Sequence, residues 1–452
     1  MLVNQYYKDF VLDRVKNTHP MNLYISSVNM LTNSQSLSDN FVESCDTDFE
    51  LIENTLGLSA WFNKYDFHSS YPYHRAAPSV RSLKTIDIYV LELLNNKKCI
   101  SKYNPYFNRL EFIHNLTEYE VKKLLKYFSL GNIYFVLATG FDQLVDKYGE
   151  FSYQLCLLDC GHLLGQLSIV LQRLGFVGEI KLIDNAFKLL SDMQIIDKNY
   201  KVLSILSVKA NKLNIDLRLT NKVLTNNIEL EKNIFLEFKD TLKLCEQFSD
   251  RNYIFKVPNL KECSRLLKCN VQDFNKIIMN RTSAHNSLGQ SGVVTKNDLK
   301  KIDEIFYNFS IKNFDKRINL FVLKNNGNCY ILYKYDIKTE KLVSIQKRIE
   351  YKDIENISIQ KKSSLTLDTY EAIIFFSVNL LEVNSSMISI DEIYLKCGIL
   401  AQFLCLSAAD LGLFCRPIKG TNEKFINPII GENLFYTLLL GKSNFDFIYQ
   451  HI

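Results

Sequence analysis

Residues 159–176 read DCGHLLGQLSIVLQRLGF, and residues 396–413 read KCGILAQFLCLSAADLGL. Cys160-Gly161 opens the first stretch and Cys397-Gly398 the second, and Leu-Gly follows thirteen and fourteen residues after each opening glycine. The apolar residues between them fall at helical spacing, which predicts a mostly buried helix ending at a glycine cap in each stretch. A second pair agrees. KYNPYFNRLEFI (102–113) and KYDIKTEKLVSI (334–345) share Lys-Tyr, then Leu seven residues after the Tyr, then a closing Ile. Each predicts a strand, a short turn and a second strand. Gly161 to Gly398 is an offset of 237, and Tyr103 to Tyr335 an offset of 232. NIYFVLATG (132–140) and EAIIFFSVN (371–379) form a third pair, read as a core strand in each half.

Chance likeness between apolar helices does not account for three matches in one order at a near-constant offset. The chain is therefore read as two copies of one α+β unit. The first covers 1–210 and the second 255–452, with the polar stretch 211–254, including TNKVLTNNIELEKN, connecting them. Within each copy the expected order is helix, strand pair, helix, core strand, long buried helix and final strand. The final strands are YKVLSILSV (200–208) and LFYTLLLG (434–441).

Composition narrows the classes. A chain of 452 residues, 47% apolar and 23% charged, has the length for several folded domains and excludes a disordered, collagen-like or coiled-coil chain. The net charge of +5 is spread without a basic block, so no nucleic-acid partner is expected. Eleven cysteines are present, with no C-x-x-C spacing, so reduced buried thiols are expected and no metal site. MLVNQYYKDFVLDRV at the start carries charges where a signal peptide needs an apolar stretch, and no apolar run approaches the length of a membrane span. A cytoplasmic protein without a membrane partner is the expectation.

The segment HRAAPSVRSLKTIDIYVLEL (74–93), followed by the hairpin from Lys102, resembles the nitroreductase-like azoline dehydrogenases of the SagB type. DKYGEFSYQLCLLDCGHLLGQ (146–166) is similar to their Lys-Tyr-Gly…Asp-x-Gly-His segment. The likeness runs from about residue 68 to 208. Arg81 stands where that family often has Gly, which would narrow the space over a flavin. The second copy carries other parts. VQDFNKIIMNRTSAHN (271–286) resembles the opening helix and Arg-x-Ser segment of flavin nitroreductases, and DLGLFCRPIKGTN (410–422) their Pro-Ile-x-Gly loop.

The resemblance implies two tandem nitroreductase-like domains forming an intrachain pseudo-dimer, with FMN as cofactor. Arg281, Thr282, Ser283 and His285 would hold its phosphate and ring edge. Backbone amides of Pro417, Ile418, Lys419 and Gly420 would face the ring, Pro78 and Ser79 would cover it, and Lys442 would add a cation. Each half has kept one complementary set, which implies one intact FMN site and one lost. The activity implied is oxidation of thiazolines or oxazolines to azoles in a ribosomally made peptide, beside a cyclodehydratase. An NAD(P)H-dependent nitro or ene reductase and a non-catalytic scaffold of the same fold stay open, as does further homo-oligomer formation.

Lys147-Tyr148 is the catalytic candidate. The resemblance implies that the pair removes a proton, and a Lys beside a Tyr is able to bring either into the range of a general base. A surface Lys beside a packed Tyr is the alternative in a chain with 25 Tyr. Arg75 fits either a substrate carboxylate or a surface salt bridge. Lys419 would either tune the flavin or point to solvent. His162 reads as a helix-packing residue. FNKYDFHSSYPYH (62–74) would either line a peptide groove or pack as an ordinary loop.

Overall fold

A computed structural model describes residues 34–36, 44–62, 64–66, 73–83, 85–94, 97–126, 131–140, 142–149, 151–183, 190, 201–210, 252–255, 257–283, 296–312, 314–359, 367, 370–381, 390–442 and 449–451. They form two compact units. The N-unit takes in the described residues up to Phe62 and then Ser79–Val257; the C-unit takes in Lys64–Pro78 and Pro258–Ile452.

The N-unit is built on an antiparallel sheet. Its strands are β1 (Asp87–Leu94), β2 (Lys97–Asn104), β3 (Arg109–Asn115), β4 (Ile133–Thr139), β5 (Gly178–Ile183) and β6 (Lys201–Val208), in the spatial order β3-β2-β1-β4-β6-β5. Ser34–Ser36 adds to β3 at one edge and Asn252–Phe255 to β5 at the other. The C-unit repeats this with β7 (Ile318–Asn325), β8 (Cys329–Asp336), β9 (Lys341–Glu350), β10 (Ala372–Val378), β11 (Phe414–Ile418) and β12 (Asn433–Gly441), in the order β9-β8-β7-β10-β12-β11. The two orders are identical strand for strand. Even an irregularity recurs: β4 slips register against β6 between Leu137 and Ala138, and β10 against β12 between Phe376 and Ser377. A bulge kept at the same place in both copies is a positional device.

The central strands β4 and β10 are buried at every position. Both faces of each sheet are therefore covered, which explains why IYFVLAT and AIIFFSV read as unbroken apolar runs instead of alternating ones. On one face of the N-unit sheet Tyr89, Leu91, Tyr134, Val136 and Val202 pack together. In the C-unit the equivalent cluster holds Phe321, Leu323, Ile373, Phe375 and Leu439.

The repeated sequence becomes helix α3 (Phe151–Arg173) in the N-unit and helix α5 (Ile390–Asp410) in the C-unit. The first lies against β5 and β6, the second against β11 and β12. Every residue from Phe151 to Leu171, and from Glu392 to Ala409, is buried. Each buried Leu, Ile or Phe removes its side chain from water for about 1.5–3 kcal/mol, so these helices carry much of each core. Both end as the glycines predict. Phe176 N–H donates to Leu171 O at 2.8 Å and Leu413 N–H to Ala408 O at 2.9 Å, with Gly175 at φ +82° and Gly412 at φ +72°. That is the six-to-one closure that an L residue disfavours. The two helices are long and apolar enough to cross a membrane, and their most apolar stretches are fully buried. Asp159, His162, Gln166, Lys396 and Gln402 interrupt their apolar runs, which is why the sequence showed no such stretch.

Several features differ from the sequence reading. A strand, β1, precedes the hairpin, so each copy opens its sheet with three strands. Strand β5 lies between the long helix and the final strand, where none was expected, and the segment with Pro417 is strand β11, not a loop. Pro417 stands opposite Leu438 at the edge of the sheet, where its missing N–H breaks no ladder. Lys64–Pro78 lies within 1–210 in sequence but belongs to the C-unit. There Lys64–Asp66 pairs with Tyr73–His74 on one side and with Tyr449–His451 on the other, all antiparallel. Residues 211–251 of the connecting stretch and 67–72 of the aromatic stretch lie outside the described residues.

Candidate active site

The site candidates fall into two groups, one in each unit. In the N-unit, helix α2 (Asp142–Tyr148) ends at Tyr148, and Gly149 N–H closes it on Val145 O at 2.7 Å. Lys147, the residue before, is 3% exposed, so it is not a surface lysine. Tyr148 is half-buried, with the Phe151 ring 6.3 Å away. Its phenol oxygen accepts a hydrogen bond from Arg81 Nε at 2.7 Å, and the Arg81 guanidinium carbon lies 5.6 Å from its ring centre.

Arg81 sits in a short turn held from below by Asp159 of α3. Both carboxylate oxygens of Asp159 take the Val80 N–H, at 3.0 and 3.2 Å, and one takes the Thr85 hydroxyl at 2.6 Å. Ser79 Oγ donates to Leu83 O at 3.0 Å, which closes the turn on itself. The Ser79 hydroxyl therefore serves its own loop. Arg81 at φ +51° and Ser82 at φ +54° are both left-handed. Left-handed backbone is the conformation that Gly adopts without a steric penalty, and it accounts for the glycine usual at position 81 in the family that the segment resembles.

In the C-unit, helix α4 (Val271–Asn280) buries Phe274, Ile277 and Ile278, the three-and-four spacing of an amphipathic helix. Asn270 caps its start by accepting the Asp273 N–H at 2.7 Å. Arg281 follows the helix directly. Its guanidinium is buried; Nη1 donates to Ser283 Oγ at 3.1 Å and Nη2 to the Arg75 carbonyl oxygen at 3.0 Å. Lys64 Nζ donates to the carbonyls of Arg281 at 2.8 Å and Ile278 at 3.2 Å. Burial first, and the Arg281 charge second, hold the Lys64 ammonium well below the usual lysine range.

Thr282 O accepts the Cys415 N–H of β11 at 3.2 Å, so the Arg-Thr-Ser segment is tied to the strand that carries Pro417 and Ile418. Motifs more than 130 residues apart in sequence thus stand on connected backbone. Lys419 does not point to solvent: it is buried, pairs with Glu423 at 3.1 Å and lies 5.8 Å from the centre of the Tyr394 ring. Gly420 has open space on its Cβ side among the described residues, and its carbonyl accepts the Ile359 N–H at 3.0 Å.

Arg75 is 2% exposed, which removes the surface salt bridge as its role. Gln402 Nε2 of α5 donates to the next carbonyl, Ala76 O, at 3.4 Å. Pro78 is the last residue of this segment of the C-unit and Ser79 resumes the N-unit. Lys442 is exposed; its backbone N–H donates to the Glu371 carboxylate at 2.9 and 3.0 Å. His285 lies outside the described residues. Among the described residues no cluster of His, Cys, Asp and Glu is placed to hold a metal.

The Arg281 guanidinium and the Lys64 nitrogen meet at the end of α4, with donors engaged by Ser283 Oγ and by the carbonyls of Arg75, Arg281 and Ile278; a guanidinium fork is a group that recognises anions. Sequence reasoning missed three of the residues involved: Lys64, Arg81 as a partner of Tyr148, and Asp159. Each acts across a long sequence separation that leaves no local signal.

No protein-family model and no curated protein matches the sequence. Solved structures do match. A nitroreductase-like protein from Anabaena variabilis aligns with a TM-score of 0.67 at 16% identity, over 97% of this chain and 97% of its own. The E. coli microcin synthetase complex with truncated pro-MccB17 bound aligns with a TM-score of 0.30 at 16% identity, over 44% of this chain and 80% of that one. An FMN complex of a nitroreductase-type protein from Exiguobacterium sibiricum aligns with a TM-score of 0.26 at 14% identity, over 40% and 92%. Of these three, the Anabaena protein spans both copies. The chain has the fold of the nitroreductases, an α+β architecture carried twice in succession.

Proposed function

We propose that the chain is an FMN-dependent oxidoreductase that oxidises thiazolines or oxazolines to azoles in a ribosomally made peptide. The observation that carries this reading is the Lys147-Tyr148 pair. A buried lysine and a half-buried phenol stand side by side at a helix end, and the phenol oxygen faces a charged donor, Arg81. A hydrogen bond from a charged donor fixes such an oxygen as an acceptor, which a proton-taking group needs.

Arg281, Thr282, Ser283 and Lys64 are the residues that would hold the FMN phosphate, and the backbone from Pro417 to Gly420 would lie along the ring. FMN, when bound, supplies the acceptor for the hydride that leaves the azoline ring. The protein's own task is then proton removal from the substrate Cα carbon by Tyr148 Oη or Lys147 Nζ. The azoline itself must come from a cyclodehydration of Cys, Ser or Thr, so a cyclodehydratase is the partner this reading requires.

The test begins with the absorbance spectrum of the purified protein and chromatography of its released cofactor. About one FMN per chain is expected from a single surviving site. Incubation with an azoline-bearing peptide should remove two hydrogens, read by mass spectrometry, and Tyr148→Phe and Lys147→Met should abolish this with FMN retained. A protein that takes up no FMN, or one whose flavin is bleached by NAD(P)H while azolines stay untouched, overturns the reading.

A further inference from the structure

We propose that Arg81 is a positioning residue, whose guanidinium, delivered by a left-handed turn, holds the phenol oxygen of Tyr148 in place as an acceptor. This rests on the reading of Tyr148 as a proton-accepting group. It goes beyond that reading by assigning a role to a residue that departs from the family pattern.

The argument starts from backbone strain. Arg81 has φ +51° and ψ +27°, and Ser82 beside it has φ +54°. Two successive residues with a Cβ in this region are unfavourable, and such outliers persist only where surrounding contacts over-determine them. Here they do. The turn is anchored at Val80 and at Thr85 by the Asp159 carboxylate, and at Ser79 by the Leu83 carbonyl. These contacts hold the backbone whatever side chain stands at position 81, so glycine would serve the turn better than arginine.

The arginine instead serves Tyr148. Its Nε lies 2.7 Å from the phenol oxygen, and its guanidinium carbon is 5.6 Å from the ring centre, so one cation contacts both the edge and the body of the same tyrosine. Hydrogen bonds from a charged donor are shorter and stronger than neutral ones, and this one fixes the phenol rotor as well as its charge preference. Among the described residues, Arg81 touches the phenol, Lys147 precedes it in sequence, and Asp159 lies beneath the turn with its oxygens engaged by Val80 and Thr85. The arginine adds a directional contact that a glycine at this position lacks.

The experiment uses full-length protein labelled at the tyrosine ζ carbon, with the Tyr148 resonance assigned by its loss in Tyr148→Phe. The ionisation of Tyr148 is followed by NMR in the wild type and in Arg81→Gly, Arg81→Gln and Arg81→Lys. The expected result is a Tyr148 midpoint at higher pH in the Gly and Gln variants, with Lys restoring part of the shift. An unchanged Tyr148 midpoint in Arg81→Gln overturns the proposal. Full azoline turnover by Tyr148→Phe would instead sink the reading of Tyr148, an outcome separate from the titration.

Discussion

The ammonium nitrogen of Lys64 lies 2.8 Å from the carbonyl oxygen of Arg281 and 3.2 Å from that of Ile278, so a lysine from early in the chain closes the last turn of α4. The final carbonyls of a helix have no partner within it, and a cation at that end also meets the negative pole of the helix dipole. The same lysine is pressed by burial and by Arg281 toward its neutral form. Between its folded midpoint and 10.5, the unfolded chain binds a proton that the folded chain has released, so stability rises with pH across that window. Lys64→Met should flatten this slope in urea unfolding measured from neutral pH to about 10. Equal slopes in the two proteins would mean that Lys64 keeps its proton when folded.

Arg281 divides its two Nη groups between Ser283 Oγ and the Arg75 carbonyl. A lysine has one nitrogen and cannot fork in this way. Arg281→Lys should weaken FMN binding roughly 10- to 100-fold, in line with hydrogen bonds to charged groups worth about 1.5–3 kcal/mol. Flavin fluorescence quenching reads this directly, and an affinity within twofold of wild type would remove Arg281 from the phosphate site.

Glu92, Asp48 and Lys97 form a buried cluster in the N-unit, with Lys97 Nζ 2.6 Å from Glu92 and 3.1 Å from Asp48. Two carboxylates face one ammonium, and burial pushes Glu92 from 4.5 up to about 7 despite the pull of Lys97. A raised carboxyl contributes stability that is complete below pH 4.5 and is lost as pH rises through about 7. Glu92→Gln should remove that decline, an effect of up to about 3 kcal/mol at 1.36 kcal/mol per unit. Thermal unfolding between pH 4 and 8 would show it as a flatter profile, and a profile parallel to wild type would place the shared proton elsewhere.

Asp159 accepts the Val80 N–H and the Thr85 hydroxyl beneath the Arg81 turn. Asp159→Ala leaves both donors unsatisfied, at about 1–3 kcal/mol for each that stays buried. The urea midpoint should fall, and trypsin should cut after Arg81 at concentrations that spare the wild type. Resistance at Arg81 in the variant would show that the turn holds without its carboxylate.

Much of this fold is legible in the sequence because its signals are local. Cys-Gly and Leu-Gly bracket both core helices, Lys-Tyr and Leu mark both hairpins, and the central strands are written as unbroken apolar runs. Strands β5 and β11 escaped notice for equally physical reasons. The first is short and reads as a turn-rich stretch after a glycine cap, and the second contains Pro417, tolerated at a sheet edge. The Lys147-Tyr148 and Arg281-Ser283 segments could be singled out by resemblance. Their supports could not. Lys64 meets Arg281 across 217 positions, Arg81 meets Tyr148 across 67 and Val80 meets Asp159 across 79, and no periodicity records such contacts.

The path of the chain has a consequence for its synthesis. Lys64–Asp66 pairs with Tyr449–His451, so the two strands of one pair are made more than 380 residues apart. At about 5–20 residues per second, the early strand waits on the order of 20–80 s for its mate. During that interval the Lys64–Pro78 segment of the C-unit has an unfilled sheet edge. Two halves made as separate polypeptides and cut within 211–254 would divide the C-unit between them, and each half would need the other to complete its hydrogen bonding.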